Sequence, residues 1–147
     1  MVKEREEVIK VKLLKKGIEI PEYSLASDVG FDLRSSENVS LEPYEQKTIK
    51  TGIALEIPEG HVGLIRDRAG IVTKMGVHTA AGTFDPAYRG EISVVMINFG
   101  EEEVEIEEGM RIAQMLIIPV KRVEIKKVDK LSSTDRGEKS FGSTGFD

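Results

Sequence analysis

The chain is predicted to be an all-β domain, and three observations carry that prediction. No stretch holds an apolar helical period for three turns. Turn residues recur roughly every 8–12 positions between short apolar pieces, the spacing of a sandwich or barrel. Several pieces alternate apolar and polar side chains, as strands with one buried face do. So many short strands need their edges covered, so a distorted β-barrel or jelly-roll-like subunit, closed or nearly closed, is expected. At 147 residues one domain can bury its own core. Residues 1–130 are read as that domain and 131–147 as a flexible C-terminal arm.

Val8 to Leu14 sets Val8, Lys10 and Lys12 against Ile9, Val11 and Leu13, a strand period ended by Gly17. Tyr23 to Ser36 carries turn chemistry at both ends of a short apolar piece. Thr48 to Ile57 alternates again and is closed by Pro58-Glu59-Gly60. His61 to Asp67 is a further strand. Arg68 to Lys74 is the one candidate for a short helix, ended by Gly76. Val77 to Ala80 and Thr83 to Asp85 read as the arms of a hairpin around Ala81-Gly82. Glu91 to Asn98, Val104 to Glu107, Arg111 to Val120 and Val123 to Val128 complete the strands. Ile112 and Met115 to Ile118 crowd apolar residues on both faces, which hints at burial between subunits. Phe31, Phe84 and Phe99 are read as core.

The net charge is -5, from 21 basic and 26 acidic residues spread along the chain. Nucleic acid would call for a basic surplus on one face, so it is not an expected partner. Without cysteine there is neither a disulfide framework nor a thiolate metal site. Met1 to Glu7 is charged and no apolar run approaches about 18 residues. No signal peptide or membrane span is therefore expected, and the protein is read as soluble and cytoplasmic. Asn38, Asn98, Gln46 and Gln114 are the only side-chain amides, a tilt associated with hot environments.

The organising stretch is Gly82-Thr83-Phe84-Asp85-Pro86-Ala87-Tyr88-Arg89-Gly90-Glu91. It is a tight loop holding one carboxylate and one aromatic, with the apolar run Ile92 to Asn98 behind it. Pro86 stiffens the loop and removes a donor. From about Leu131 the apolar content nearly vanishes, yet Phe141 stands in this tail with no core to join. Gly137 to Thr144 looks like a phosphate loop but fails as a Walker motif, because Ser143 stands where a lysine belongs. Glycine N–H groups and small hydroxyls still suit a phosphate chain. Residues 131–147 can reach on the order of 50 Å, far enough to close over a site on another subunit.

Five segments share one character: Gly30-Phe31-Asp32-Leu33, Arg68-Ala69-Gly70, Gly82 to Glu91, Arg111-Ile112-Ala113-Gln114, and Arg136 to Gly145. In order and spacing the chain resembles the homotrimeric deoxyuridine triphosphate nucleotidohydrolases (dUTPases) over roughly Tyr23 to Gly145. The resemblance implies a β-barrel subunit, a homotrimer with sites shared between chains, and hydrolysis of dUTP to dUMP and pyrophosphate. That reaction limits uracil in DNA and supplies dUMP for dTMP synthesis. Mg²⁺ is implied on the substrate phosphates, with no direct protein ligand. Asp85 is implied to hold and activate the attacking water and to meet the sugar 3′-hydroxyl. Tyr88 would pack under the deoxyribose, and the stretch Thr79 to Asp85, with Gly82 in it, would offer backbone groups to the uracil edge. Arg68, the N–H groups of Ala69 and Gly70, and Gln114 would hold phosphates. Arg136 and the Gly142-Ser143-Thr144 run would clamp the terminal phosphate, while Phe141 stacks on uracil. Asp32 and Arg111 are assigned to structural support of the site, Arg111 with phosphate contact as its alternative.

The chain departs from the family pattern at three places. Ala69 stands where serine is usual, Lys139-Ser140 where two glycines are common, and Ala87 where an acid is often found. Asp28 and Asp67 read as turn or strand-end residues, His61 and His78 as surface or packing residues, and Arg89 as equally suited to subunit contacts. Two other readings were weighed against hydrolysis of dUTP. A dCTP deaminase on the same fold would need a glutamate where this chain has Val95, which cannot move a proton. A non-catalytic nucleotide-binding regulator has no use for a water-activating acid.

Overall fold

The computed structural model describes residues 7–145, so the charged opening Met1 to Glu7 falls outside it except for Glu7. The elements run β1 (Lys10–Leu13), β2 (Gly30–Arg34), β3 (Val39–Leu41), β4 (Gln46–Glu56), β5 (His61–Arg66), α1 (Ala69–Met75), β6 (Val77–Ala80), β7 (Thr83–Phe84), β8 (Glu91–Asn98), β9 (Val104–Ile106) and β10 (Arg111–Pro119). Two four-stranded sheets, ordered β1-β4-β8-β6 and β2-β10-β5-β7, are joined by the small pair β3-β9. The all-β class and the single short helix therefore hold, and the arrangement is jelly-roll-like. The sheets do not close into a barrel, and their edges are covered by other means. β1 is short and carries Lys10 and Lys12, charges that discourage edge pairing. Next to β2, the N–H of Asp32 donates to Glu22 O at 3.3 Å.

β8 reads half-buried and buried by turns: Ile92, Val94, Met96 and Asn98 point inward. They meet Leu33, Ile49, Ile112 and Met115 in one core. Each such aliphatic side chain contributes about 1.5–3 kcal/mol by leaving water. In β10 a register shift between Arg111 and Ala113 lets the neighbours Ile112 and Ala113 both bury, as a bulge permits. Leu116 to Ile118 are only half-buried. α1 turns Ile71 into the core and stops at Gly76, whose N–H donates to Val72 O.

Three sequence expectations give way here. Val77–Ala80 and Thr83–Phe84 are not hairpin partners: β6 pairs with β8 and β7 with β5, in different sheets. The chain turns a corner between them, because the N–H of Ile65 donates to Gly82 O at 2.9 Å and draws the bend onto β5. Val123 to Val128 has strand periodicity but joins no ladder, and Ile125 is 94% exposed. Phe99 lies outside the core at 55% exposure, its ring set edge-on to His78 with centroids 5.5 Å apart. β3, too short for its period to register, appears where no strand was expected.

Three of the four amides are tied to main chain, and Asn98 most completely. Its Nδ2 donates to Leu41 O at 3.0 Å and Glu102 O at 2.8 Å, while Oδ1 accepts from Gly100 N at 2.9 Å. Truncating it strands two carbonyls and an N–H at a fully buried position. Asn98→Ala is expected to destabilise the fold by about 3 kcal/mol. Urea unfolding at matched chain concentration measures this, and a loss below about 1 kcal/mol would remove Asn98 from its structural role.

Candidate active site

Asp32 sits in the middle of β2, opposite Gln114 of β10. Its side chain is only 15% exposed, and two cations converge on it. Arg68 Nε lies 3.1 Å from Oδ1 and Arg111 Nη1 lies 3.5 Å from Oδ2. The Ser24 hydroxyl donates to Oδ2 at 2.5 Å, and Arg68 Nη1 also donates to Arg111 O at 3.3 Å. One carboxylate against two guanidinium groups leaves a local positive surplus, the electrostatic condition for binding an anion. Asp32 and Arg111 are thus held together with Arg68. Ala69 and Gly70 follow directly. Their N–H groups precede Ile71, the first residue whose N–H finds an acceptor in the turn, Arg68 O. Gln114 turns its amide onto Asp67 O at 2.9 Å, bracing the strand end that delivers Arg68.

Asp67 is more than a strand-end residue. Its Oδ1 accepts from the N–H and the hydroxyl of Thr79, at 2.6 and 2.7 Å, and its Oδ2 is 3.2 Å from His78 Nδ1. Burial pushes this carboxyl up. Bonds from the Thr79 hydroxyl, the Thr79 N–H and His78 outweigh that and hold it below the ordinary 3.8. The acid therefore fastens Thr79, at the start of the stretch leading to Gly82, to the residue that precedes Arg68. Gly82 has φ 102°, and a Cβ there would stand 2.8 Å from Ile65 Cβ, so only glycine lets the corner lie on β5.

Asp85 opens the turn Asp85-Pro86-Ala87-Tyr88, closed by Tyr88 N donating to Asp85 O at 3.1 Å. It is exposed, and among the described residues no hydrogen bond or ion pair engages its carboxylate. Tyr88 leans on Phe84 with ring centroids 5.7 Å apart, and its hydroxyl donates to Glu91 O at 3.0 Å. A Cβ at Gly90 would come within 2.5 Å of that hydroxyl, so the ring is fitted over this glycine. Glu91 in turn accepts from Gly52 N at 2.9 Å, locking the turn to the irregular stretch of β4. Arg89 reaches Glu56 at 3.3 Å and Pro86 O at 2.5 Å.

The tail stands apart. Arg136 Nε donates to Lys139 O at 2.9 Å, and Gly142 to Gly145 are linked by a local turn. Phe141 is fully exposed at φ 45°. Ser143 and Thr144 are exposed with it. The residues singled out by sequence thus fall into an Asp32–Arg68–Arg111 group, an Asp85–Tyr88 turn and the tail. No hydrogen bond joins these three within one chain among the described residues. Sequence reasoning missed Ser24, the anchoring role of Glu91, and Asp67. Each acts on a residue brought near only by folding, so none carries a local signature.

Among the described residues no three His, Asp or Glu side chains cluster as a metal cage. Mg²⁺ commonly keeps several waters and rides on substrate phosphates, a mode of binding that needs no such cage. A cleft of about 410 Å³ borders Asp32 and is lined also by Ile18, Ile20, Glu19, Glu22, Arg34 and Glu108. No helix among the described residues is long and apolar enough to cross a membrane.

The dUTPase family model matches residues 16–145, a span that contains all five segments. A Deoxyuridine 5'-triphosphate nucleotidohydrolase of Clostridium tetani is 44% identical over 142 residues, covering 95% of this chain and 98% of that protein. Among solved structures, a mutant dUTPase of Staphylococcus bacteriophage 80alpha with dUpNHpp superposes with a TM-score of 0.91 at 35% identity, covering 95% of this chain and 99% of that one. A mutant dUTPase from phage phi11 of S. aureus, described with a coordinated structural Mg(II) ion, gives a TM-score of 0.81 at 30% identity, covering 86% and 99%.

Proposed function

This chain belongs to the dUTPase family, and on that premise we propose that it hydrolyses dUTP to dUMP and pyrophosphate by attack of water on the α-phosphorus. The observation that carries the reading is the convergence of Arg68 and Arg111 on Asp32, beside the open N–H groups of Ala69 and Gly70. Phosphoanhydride hydrolysis needs little covalent help; it needs neutralised phosphate charge and a placed water. The arginine group meets the first need, with Gln114 steadying its base. Asp85, exposed and with no hydrogen bond or ion pair among the described residues, meets the second as the general base. Tyr88, pinned over Gly90, presents its ring to the deoxyribose. Main-chain groups from Thr79 to Gly82 read the uracil edge. Mg²⁺ supplies charge neutralisation on the phosphates when the substrate carries it in.

The partition of the site residues into three unconnected groups supports a homotrimer in which each site draws on more than one chain. The arm, residues 131–147, then closes over a site with Arg136, Gly142, Ser143 and Thr144 on the terminal phosphate and Phe141 on the base. We place the activity in the cytoplasm. Ala69 offers no hydroxyl to the phosphates, but it retains its N–H. Deamination finds no support, since Val95 lies in β8 opposite Thr48 and Ala80.

Pyrophosphate release with Mg²⁺ from dUTP, dCTP, dTTP and UTP tests this reading. The expected result is kcat/KM for dUTP at least about 100-fold above each competitor, within what a hydrogen-bonding site achieves. dUTP left intact, or ammonia released from dCTP, contradicts it.

A further inference from the structure

Asp67 and Arg68 are adjacent in sequence and pull in opposite directions. Arg68 reaches Asp32 on β2, in one sheet, while Asp67 reaches Thr79 and His78 on β6, in the other. β6 is an edge strand, hydrogen-bonded to β8 on one side only. On its open side the N–H of Thr79 has no ladder partner, and the Asp67 carboxylate takes it together with the Thr79 hydroxyl. Gln114 holds the same residue by its carbonyl. His78 is confined between Asp67 and the Phe99 ring. The reaction assigned above does not use this acid for chemistry, yet it is the most heavily engaged carboxylate at the site's margin.

We propose that Asp67 is a positioning residue that sets base specificity, by fixing the bend after Thr79 relative to the arginine loop it precedes. The inference rests on the proposed reading of the base by main-chain groups between Thr79 and Gly82. Main-chain donors and acceptors discriminate only while their positions are held. Polar sites reject a mismatched edge because the unpaired groups cannot relax to water or rotate away. Released from Asp67, the edge of β6 gains that freedom. The phosphate contacts and Asp85 keep their own anchors, Asp32 and the turn locked by Glu91.

The test compares wild type, Asp67→Ala and Asp67→Asn on dUTP and dCTP with Mg²⁺. For Asp67→Ala we expect the dUTP-over-dCTP ratio of kcat/KM to fall at least tenfold, with KM for dUTP raised and kcat on dUTP within about threefold of wild type. Asp67→Asn keeps an acceptor for the Thr79 N–H and hydroxyl, so it is expected to restore most of the ratio. It also serves as the readout if the alanine variant fails to fold, still with a measurable loss of the ratio. An unchanged ratio in both variants, or a loss confined to kcat, overturns the assignment of Asp67 and leaves the dUTPase reading standing. A wild-type protein inert on dUTP overturns both.

Discussion

Asp85→Asn is expected to lower kcat on dUTP by about 10²–10⁴-fold, the contribution of a positioned general base. Affinity for the imido analogue dUpNHpp should stay within about threefold, because the amide keeps the side chain's shape and its contact with the sugar. The expectation follows from the state of this carboxylate. Asp32 and Asp67 are already spent on Arg68, Arg111, Thr79 and His78. Asp85 alone among the three is exposed, with no donor engaging it among the described residues. An acid so placed contributes nothing visible to the fold, and asparagine there leaves the Asp85–Tyr88 turn intact, since that turn closes through main chain. Single-turnover hydrolysis and calorimetric titration together measure the split. Unchanged kcat would remove Asp85 from the chemistry, and lost analogue binding would make it a ligand contact instead.

Deleting residues 131–147 is expected to reduce kcat/KM for dUTP by about 10²–10⁴-fold without unfolding the domain. Stacking of one base on an aromatic ring is worth about 1–3 kcal/mol, and a charge-assisted bond from Arg136 to phosphate about 1.5–3 kcal/mol. Their sum sets the range. The fold should tolerate the cut because, among the described residues, every hydrogen bond of Arg136 to Gly145 stays within the tail, and residues 131–145 are exposed. The melting midpoint is expected to move by less than about 3 °C, equivalent to under about 1 kcal/mol for a domain of this size. Phe141→Ala should give part of the same loss. A truncated chain of full activity would refute the lid, and one that unfolds would make the tail structural.

Much of the fold was readable because burial leaves a period in the sequence. In β4, Thr48 and Lys50 alternate with the buried Ile49 and Thr51, and α1 stops where Gly76 ends it. What escaped depends on partners far along the chain. Ala81-Gly82 has hairpin chemistry, but the main-chain bond from Ile65 to Gly82 diverts it between sheets. Val123 to Val128 has the period of a strand, yet within one chain no ladder receives it. Phe99 is as apolar as Phe31, and only the end of β8 carries it outside the core. Closure into a barrel was inferred from the number of edges, whereas lysines and coil cover them instead.

The site divides the same way. Glycines mark four of the five segments, and at two positions the reason is visible: a side chain at Gly82 would meet Ile65, and one at Gly90 would meet Tyr88. Asp67 has no such marker. Its meaning depends on the end of β5 meeting the edge of β6, which belongs to the other sheet, and nothing local to Arg66-Asp67-Arg68 announces Thr79.

The claim on which the account turns is that water attacks the innermost phosphorus. One turnover of dUTP in oxygen-18 water, with both products weighed by mass spectrometry, tests it directly. The account predicts the label in the phosphate of dUMP and none in pyrophosphate. Label in pyrophosphate would place the attack on the β-phosphorus and contradict it.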